Sequence, residues 1–426
     1  MLKIVHPICC GIDVHNKFIV ATIATTDPKG VTRYQTKEFK TFNYDLENLK
    51  AWLAKNNCVP VCMESTGKYW IPVFNYLEST CSVTLANPKY VKAINGKKTD
   101  KKDSRWIADL FKHDLVPGSY IPPREIRMLR DLCRYENKLV SCRASEINRV
   151  QNSLTVSNIG IANVLSDTFG KTASRIIEYT LTCDKFDPEY CKTLIDRRIK
   201  ASPDDVIKSI LGYNLTLAQS SKIQVSKAHL NSINEAISNL NETLTELANP
   251  YQDHIKLLTS MVGIKEKSAL KIISEIGTDM SVFKSAKHLC SWAGLAPQNN
   301  ESAGKKKSSK ISRAGVYLKP ILVQCANAAI KSTCNPYFRE KFFRIKKRRG
   351  HKKAIIAVAR MMLTCIYHMI SKGEMFAPSD VNYSDLPNAV LEKRKQKMIH
   401  SAIVLLQKQG FSVVMPTDNE GLSLTG

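Results

Sequence analysis

The sequence is poor in acid: 38 Asp and Glu stand against 63 Lys and Arg, a formal net charge of +25. So large an imbalance favours a polyanionic partner, either nucleic acid or an acidic membrane surface. Long apolar runs are also missing. The most apolar stretch, Ala354 to Ile370, is broken by Arg360 and His368 and falls short of the roughly 20 apolar residues that cross a bilayer, so no membrane span is expected. The N-terminus, Met-Leu-Lys-Ile-Val-His-Pro, lacks the apolar h-region of a signal peptide. No CxxC pair occurs among the 13 cysteines. The closest groupings are Cys9 with Cys10 and Cys58 with Cys62, and no matching His pair follows, which argues against a zinc ribbon. Free, buried thiols in a reducing cytosol are the expectation. What remains is ordinary globular material: 426 residues, 43% apolar and 24% charged, enough for two or three domains.

The first 120 residues alternate strand and helix signals. Ile4–Val14 and Phe18–Thr25 are β-branched runs, Val31–Phe42 alternates less cleanly, and Val59–Met63 and Val83–Ala86 read as short strands. Leu46, Leu49, Trp52 and Leu53 recur at helical spacing in Asn43–Asn56, with Asn43 as the expected cap, and Tyr69–Leu77 is a second helix. Three strands followed by two strand–helix crossovers make an α/β layer fold, for which a ribonuclease-H-like order is one option. A polar helical stretch runs from Arg124 to about Thr155. Later, Ile223, Leu230, Ile233, Ile237, Leu240, Leu244 and Leu247 recur in steps of three and four, interrupted at Ser226 and ending at Asn249-Pro250. That is a heptad seam, serving either an intermolecular coiled coil or antiparallel pairing with the earlier helix. Beyond Leu257 the pattern is mostly helical.

Four acids stand out. Asp13 ends the run Ile8-Cys9-Cys10-Gly11-Ile12, and Glu64 follows Val59-Pro60-Val61-Cys62-Met63. An acid in such a strand is costly to bury without a cation or charged partner. Asp100 and Asp103, three apart, open a helix over Asp100–Phe111 and share one face. Acids there also complement the helix dipole. Two strand-end acids and an i,i+3 pair are the oxygen donors that Mg²⁺ takes, and paired ions of this kind serve phosphoryl transfer. Lys97, Lys98, Lys101 and Lys102 surround the second pair, as salt-bridge partners or as phosphate contacts.

Between Ala303 and Lys353 there are 16 Lys and Arg and one acid, Glu340, a net of +15. Within this region a polar loop, Gln298 to Lys307, leads into Lys310, Arg313 and a helix near Tyr317. It is either a solvated loop, or a site in which Ser302 is a nucleophile and Lys305, Lys306 and Lys307 hold DNA phosphates. A serine hydroxyl is weak and needs a base or metal. Lys346-Lys347-Arg348-Arg349 is a second basic cluster suited to phosphate contact or to localisation. Leu257 to Ile264, with Ala269-Leu270 and Ile276-Gly277, has the rhythm of a helix–hairpin–helix, although Lys265 replaces the usual second glycine.

These residues resemble a known family. Gly11-Ile12-Asp13-Val14, Met63-Glu64-Ser65-Thr66-Gly67, Gly96 to Asp103, Ile121-Pro122-Pro123-Arg124-Glu125, Ser291-Trp292-Ala293-Gly294-Leu295 and Asn300-Glu301-Ser302-Ala303-Gly304-Lys305 fall in order along the chain. Together they are similar to transposases of bacterial insertion sequences of the 110 type, the DEDD recombinases, in their 1111-like branch. The resemblance implies a RuvC-like, ribonuclease-H-type domain over 1–120 in which Asp13, Glu64, Asp100 and Asp103 bind Mg²⁺. It implies a helical, coiled-coil region over 121–256, a serine-bearing transposase domain over 257–375 and a peripheral tail over 376–426. Ser302 would attack double-stranded DNA at element ends and target, leaving a phosphoserine link and a free 3′ hydroxyl. A dimer or tetramer, a structured guide RNA and a nucleoid-associated place in the bacterial cytoplasm are further implications. A RuvC-like junction nuclease using water at the same acids, and a decayed nucleic-acid-binding protein, are the competing readings.

The charge distribution makes nucleic-acid binding steeply salt-dependent. If six to ten phosphates are neutralised, affinity should fall by roughly 10³–10⁵ between 50 and 200 mM salt. A titration at several ionic strengths checks this, and a flat response contradicts it.

Overall fold

The computed structural model describes residues 2–64, 67–91, 100–297, 300–302, 305–308, 310–333, 335–377 and 396. It divides into two compact units: Met1–Gln252 with Leu270–Phe283, and Asp253–Ala269 with Lys284–Gly426.

The first unit is mixed α/β. Strands β1 (Ile8–Val14), β2 (Phe18–Thr26) and β3 (Thr32–Lys40) form an antiparallel meander. They are followed by α1 (Asn43–Lys55), β4 (Pro60–Glu64), α2 (Trp70–Leu77), β5 (Ser82–Ala86), α3 (Pro88–Val91) and α4 (Asp100–Lys112). The sheet order is β3-β2-β1-β4-β5, with β4 parallel to β1 and β5 parallel to β4. The strands at the centre of the sheet are apolar on both faces because helices cover both. On one face Cys10, Ile12, Val61 and Met63 pack against Leu46, Leu49 and Leu53 of α1 and Val73, Phe74 and Leu77 of α2. On the other, Cys9, Ala24 and Cys62 meet Ile107, Ala108 and Phe111 of α4.

One expected cap is corrected. Asn43 is the first residue of α1, and Phe42 holds the cap position with no side-chain bond. The polar bracing comes from Asp45, whose carboxylate accepts from the Lys40 amide at 3.0 Å. The free cysteines are mostly buried. Burial pushes the Cys9, Cys58 and Cys62 thiols up to about 12, so they carry no thiolate at neutral pH.

Two long helices follow, α5 (Arg124–Val156) and α9 (Leu217–Ala248), and they pair antiparallel within the chain. Leu129 and Cys133 near the start of α5 pack against Leu244 near the end of α9. Val150 and Leu154 pack against Ile223 and Leu230. Positions 223, 230, 237 and 244 of the seam are all buried, so it is spent on intramolecular packing. Its interruption, buried Ser226, hydrogen-bonds Glu146 of α5, which Arg149 and His229 also contact. Between these helices α6 (Lys171–Thr182), α7 (Pro188–Thr193) and α8 (Pro203–Lys208) add to the core at one end of the pair.

Helices α10 (Gln252–Thr259) and α11 (Glu266–Ile276) flank the expected hairpin. Gly263, at φ +91°, lies where a Cβ would be 2.5 Å from the Cys325 carbonyl oxygen, so this glycine serves close packing. The second unit continues with α12 (Ala286–Trp292), β6 (Asn300–Ser302), β7 (Lys305–Ser308), α13 (Leu318–Lys331), α14 (Tyr337–Arg349) and α15 (His351–Lys372). At 22 residues, with an 18-residue window of mean hydropathy 1.6, α15 is long and apolar enough to cross a membrane by length and composition. Here it packs against α12, α13 and α14, with nine residues from Ala354 to Ile370 buried. Of the expected tail, Phe376 stacks on Phe338 at 5.6 Å; from 378 onward, Gln396 apart, it lies outside the described residues.

Of the described glycines in the first unit Gly11 is the most tightly enclosed: a Cβ there would stand 2.3 Å from both the Ala108 nitrogen and the Ser104 carbonyl oxygen. Gly11→Ala should therefore cost about 1–3 kcal/mol or more through overpacking, read as a lowered urea midpoint.

Candidate active site

Asp13 and Glu64 come from neighbouring parallel strands. The register pairs Cys10 with Val61, Gly11 with Cys62 and Ile12 with Met63, so one further step sets Asp13 opposite Glu64 at the carboxyl ends of β1 and β4. Strands in a sheet lie about 4.8 Å apart. Parity fixes the face. Ile12 and Met63 point into the α1/α2 core, whereas Cys9 and Cys62 face α4. Asp13 and Glu64 therefore lie on the α4 side.

Helix α4 runs against β1. The Lys112 carbonyl oxygen accepts from the amides of Val5 and His6, Cys9 Sγ donates to the Ala108 carbonyl oxygen at 3.6 Å, and Gly11 touches Ser104 and Ala108. Two strand residues beyond Gly11 advance roughly 6.6 Å, as much as about four helical residues. That sets the first turn of α4, which carries Asp100 and Asp103, toward Asp13. The helix is held there by polar contacts as well. Buried Ser104 shares a 2.7 Å hydrogen bond with Thr22, which also meets Thr36 at 2.9 Å. On its outer side Tyr34 donates to Asp109 at 2.5 Å, and the Arg105 guanidinium lies 3.8 Å from the Tyr34 ring centre.

Asp103 is partly buried and Lys102 exposed. The side chains of Asp100 and Lys101, and all of Lys97 and Lys98, lie outside the described residues. Among the described residues no three His, Cys, Asp or Glu side chains gather closely enough to hold a metal ion. The carboxylates of Asp13 and Glu64 at this end of the sheet are oxygen donors of the kind hard divalent cations take. Sequence reasoning missed His15. Its Nε2 lies 3.1 Å from Asp13 Oδ2 and its ring stacks on Phe18 at 4.6 Å. The only signal was a histidine two residues past the acid, in the β1–β2 turn.

In the second unit the expected loop around Ser302 is instead a two-stranded ribbon. Register pairs Glu301 with Lys306 and Ser302 with Lys305, so Ser302 ends β6 beside the connection to β7. The side chains of Ser302 and of Lys305, Lys306 and Lys307 are outside the described residues. Lys310 and Arg313 are exposed beyond the ribbon, and Lys346, Lys347, Arg348 and Arg349 form the exposed last turn of α14.

Comparison with known proteins completes the picture. A DEDD transposase model of IS110 type matches residues 10–159, and a model described as the transposase IS116/IS110/IS902 family matches 255–342. Together they span more than half of the chain. The chain belongs to the IS110 family of transposases.

It is 25% identical over 301 residues to the insertion element IS116 uncharacterized 44.8 kDa protein of Streptomyces clavuligerus, covering 66% of this chain and 73% of that one. It is 32% identical over 155 residues to the pilin gene-inverting protein of Moraxella bovis, covering 33% and 45%. An insertion element IS900 protein of Mycobacterium paratuberculosis is 27% identical over 128 residues, covering 30% and 32%. As an IS110-type transposase, the protein is a DNA transposase/recombinase. Asp13, Glu64, Asp100 and Asp103 fall in the first matched segment and Ser302 in the second, with α6 to α9 between them.

The contact of His15 with Asp13 gives a prediction. Groups that orient a metal-binding carboxylate are worth about 10–100-fold in metal affinity. His15→Ala should weaken Mn²⁺ binding by that factor in calorimetry, and unchanged affinity would remove His15 from the site.

Proposed function

We propose that this transposase cuts and rejoins DNA strands for insertion-sequence mobility through a phosphoserine intermediate at Ser302. Asp13, Glu64, Asp100 and Asp103 of a RuvC-like domain hold Mg²⁺. The observation that carries this reading is the adjacency of the Asp13 and Glu64 strand ends on the face covered by α4. Two carboxylates brought to adjacent strand ends repel one another, and a cation bound between them relieves that repulsion. Bound Mg²⁺ supplies charge stabilisation to the transferring phosphoryl group.

The chain's own residues do the rest. Asp13 is oriented by His15, and Asp103 is positioned by the seating of α4 at Gly11 and Ser104. Lys310, Arg313 and the Lys346 to Arg349 turn hold backbone phosphates. Ser302 Oγ attacks phosphorus, the P–O3′ bond breaks, and the displaced serine proton ends on the leaving 3′ oxygen. The phosphoserine keeps the energy of the phosphodiester, so a 3′ hydroxyl from a second strand reverses the step without ATP. The relative named for pilin gene inversion supports such conservative rejoining. A structured RNA directing a dimer or tetramer to its two DNA sites completes the reading, and the +15 segment is suited to carrying it.

The test is trapping of protein–DNA adducts on denaturing gels with element-end DNA and Mg²⁺. Parental protein should give a covalent band, and Ser302→Ala should lose it along with exchange while still binding DNA. A Ser302→Ala protein that recombines at the parental rate contradicts the assignment, whereas cleavage without any adduct favours the water-using nuclease. RNA recovered from the purified protein should be one discrete species transcribed beside the gene.

A further inference from the structure

A cavity of about 470 Å³ opens between α2, Leu85 of β5 and the first turns of α5. Trp70 and Tyr120 lie in its wall, and its rim exposes Ile71 at 40% and Met128 at 44%. Most of its arginines are occupied. Arg127 donates to Asn75 and Glu78, and Arg130 and Arg134 bond the Ser274–Glu275 segment. Arg124 is exposed at the start of α5 and makes no ion pair among the described residues. Exposed apolar side chains and a partly buried indole, packed edge-on against Phe74 on its inner side, beside an uncommitted guanidinium are what an unstacked base and its phosphate bind: the ring gives a stacking surface, and the cation answers the backbone charge. Asp131 lines the cavity too, which leaves the Arg124 end for the phosphate.

We propose that this groove holds an unpaired nucleotide, its base against Trp70 and its phosphate on Arg124. Position supports it. Trp70 follows Glu64 by six residues, so the two are at most about 20 Å apart. Leu85 pairs with Met63, directly before Glu64. The groove opens on the α1/α2 face of the sheet and the carboxylates lie on the α4 face, so a strand held in the groove reaches them around the carboxyl ends of β1 and β4. The proposal rests on the strand-exchange reading, because exchange needs unpaired strand beside the cut. DNA and RNA share the recognised chemistry.

Full-length protein is titrated with labelled short oligothymidylate, oligouridylate and a random duplex, following anisotropy. Trp70→Ala should weaken single-strand binding by roughly 5- to 100-fold, as expected for loss of one stacked base, with duplex affinity held. Trp70→Leu, which keeps an apolar side chain without a stacking face, should lose as much, and Trp70→Phe should keep most of it. Arg124→Ala should reduce the salt slope by about one phosphate. The tighter of the two oligonucleotides identifies the strand as DNA or RNA. Unchanged single-strand affinity in Trp70→Leu overturns the proposal. So does an equal loss on duplex, which would make the groove a general basic surface, or a change of sedimenting mass, which would make it a contact between copies. Binding is read without cleavage, so this result and the Ser302 adduct result can fail independently.

Discussion

Everything at the candidate centre depends on how closely α4 approaches β1. The contact at Gly11 is backbone against backbone, with no room for a methyl group. Closeness there is not a matter of oily packing alone, because buried Ser104 completes a hydroxyl chain with Thr22 and Thr36. Buried polar groups that are fully bonded fix one arrangement and penalise others. The helix therefore has little freedom to slide, and the acids in its first turn inherit that precision. Rigid seating of this kind is what a cluster of carboxylates needs, since like charges brought together repel until a cation joins them.

The same economy of charge organises the rest of the chain. In the first unit three acids on α5 and α11 are buried and paired: Glu275 with Arg134 at 2.8 Å, Glu136 with Lys271 at 2.7 Å, and Glu146 with Arg149. Breaking such pairs leaves an uncompensated charge, so the first two fasten segment Leu270–Phe283 to α5. In the second unit the surplus is basic and exposed, ending in the last turn of α14, where cations also complement the helix dipole. The exposed basic surplus suits a protein working on polyanions.

Much of this was legible in the sequence. The five strands and the helices between them follow from β-branched runs and from helical spacing such as that of Leu46, Leu49 and Leu53. The seam at 223, 230, 237 and 244 showed that α9 has a packed face but left open whether α5 or a second chain covers it. Other features were hidden for physical reasons. The β6–β7 ribbon carries no apolar alternation, so a short connection through Ala303-Gly304 was its one hairpin signal. His15 became part of the site through a turn, which periodicity does not report. Register between β1 and β4 and the Gly11 contact are tertiary facts; the sequence showed acids ending two strands and opening a helix, but not that these ends share a face.

The central claim is that Asp13, Glu64 and the first turn of α4 surround one cation position. Replacing Mg²⁺ by Fe²⁺ and adding ascorbate and peroxide generates hydroxyl radicals at the bound ion, which cut the nearest backbone. Mapping the cuts by mass spectrometry is the most direct test. Breaks clustered at the ends of β1 and β4 and at the start of α4, lost in Asp13→Asn, are the predicted result. Breaks elsewhere, or a pattern indifferent to Asp13→Asn, would contradict the account.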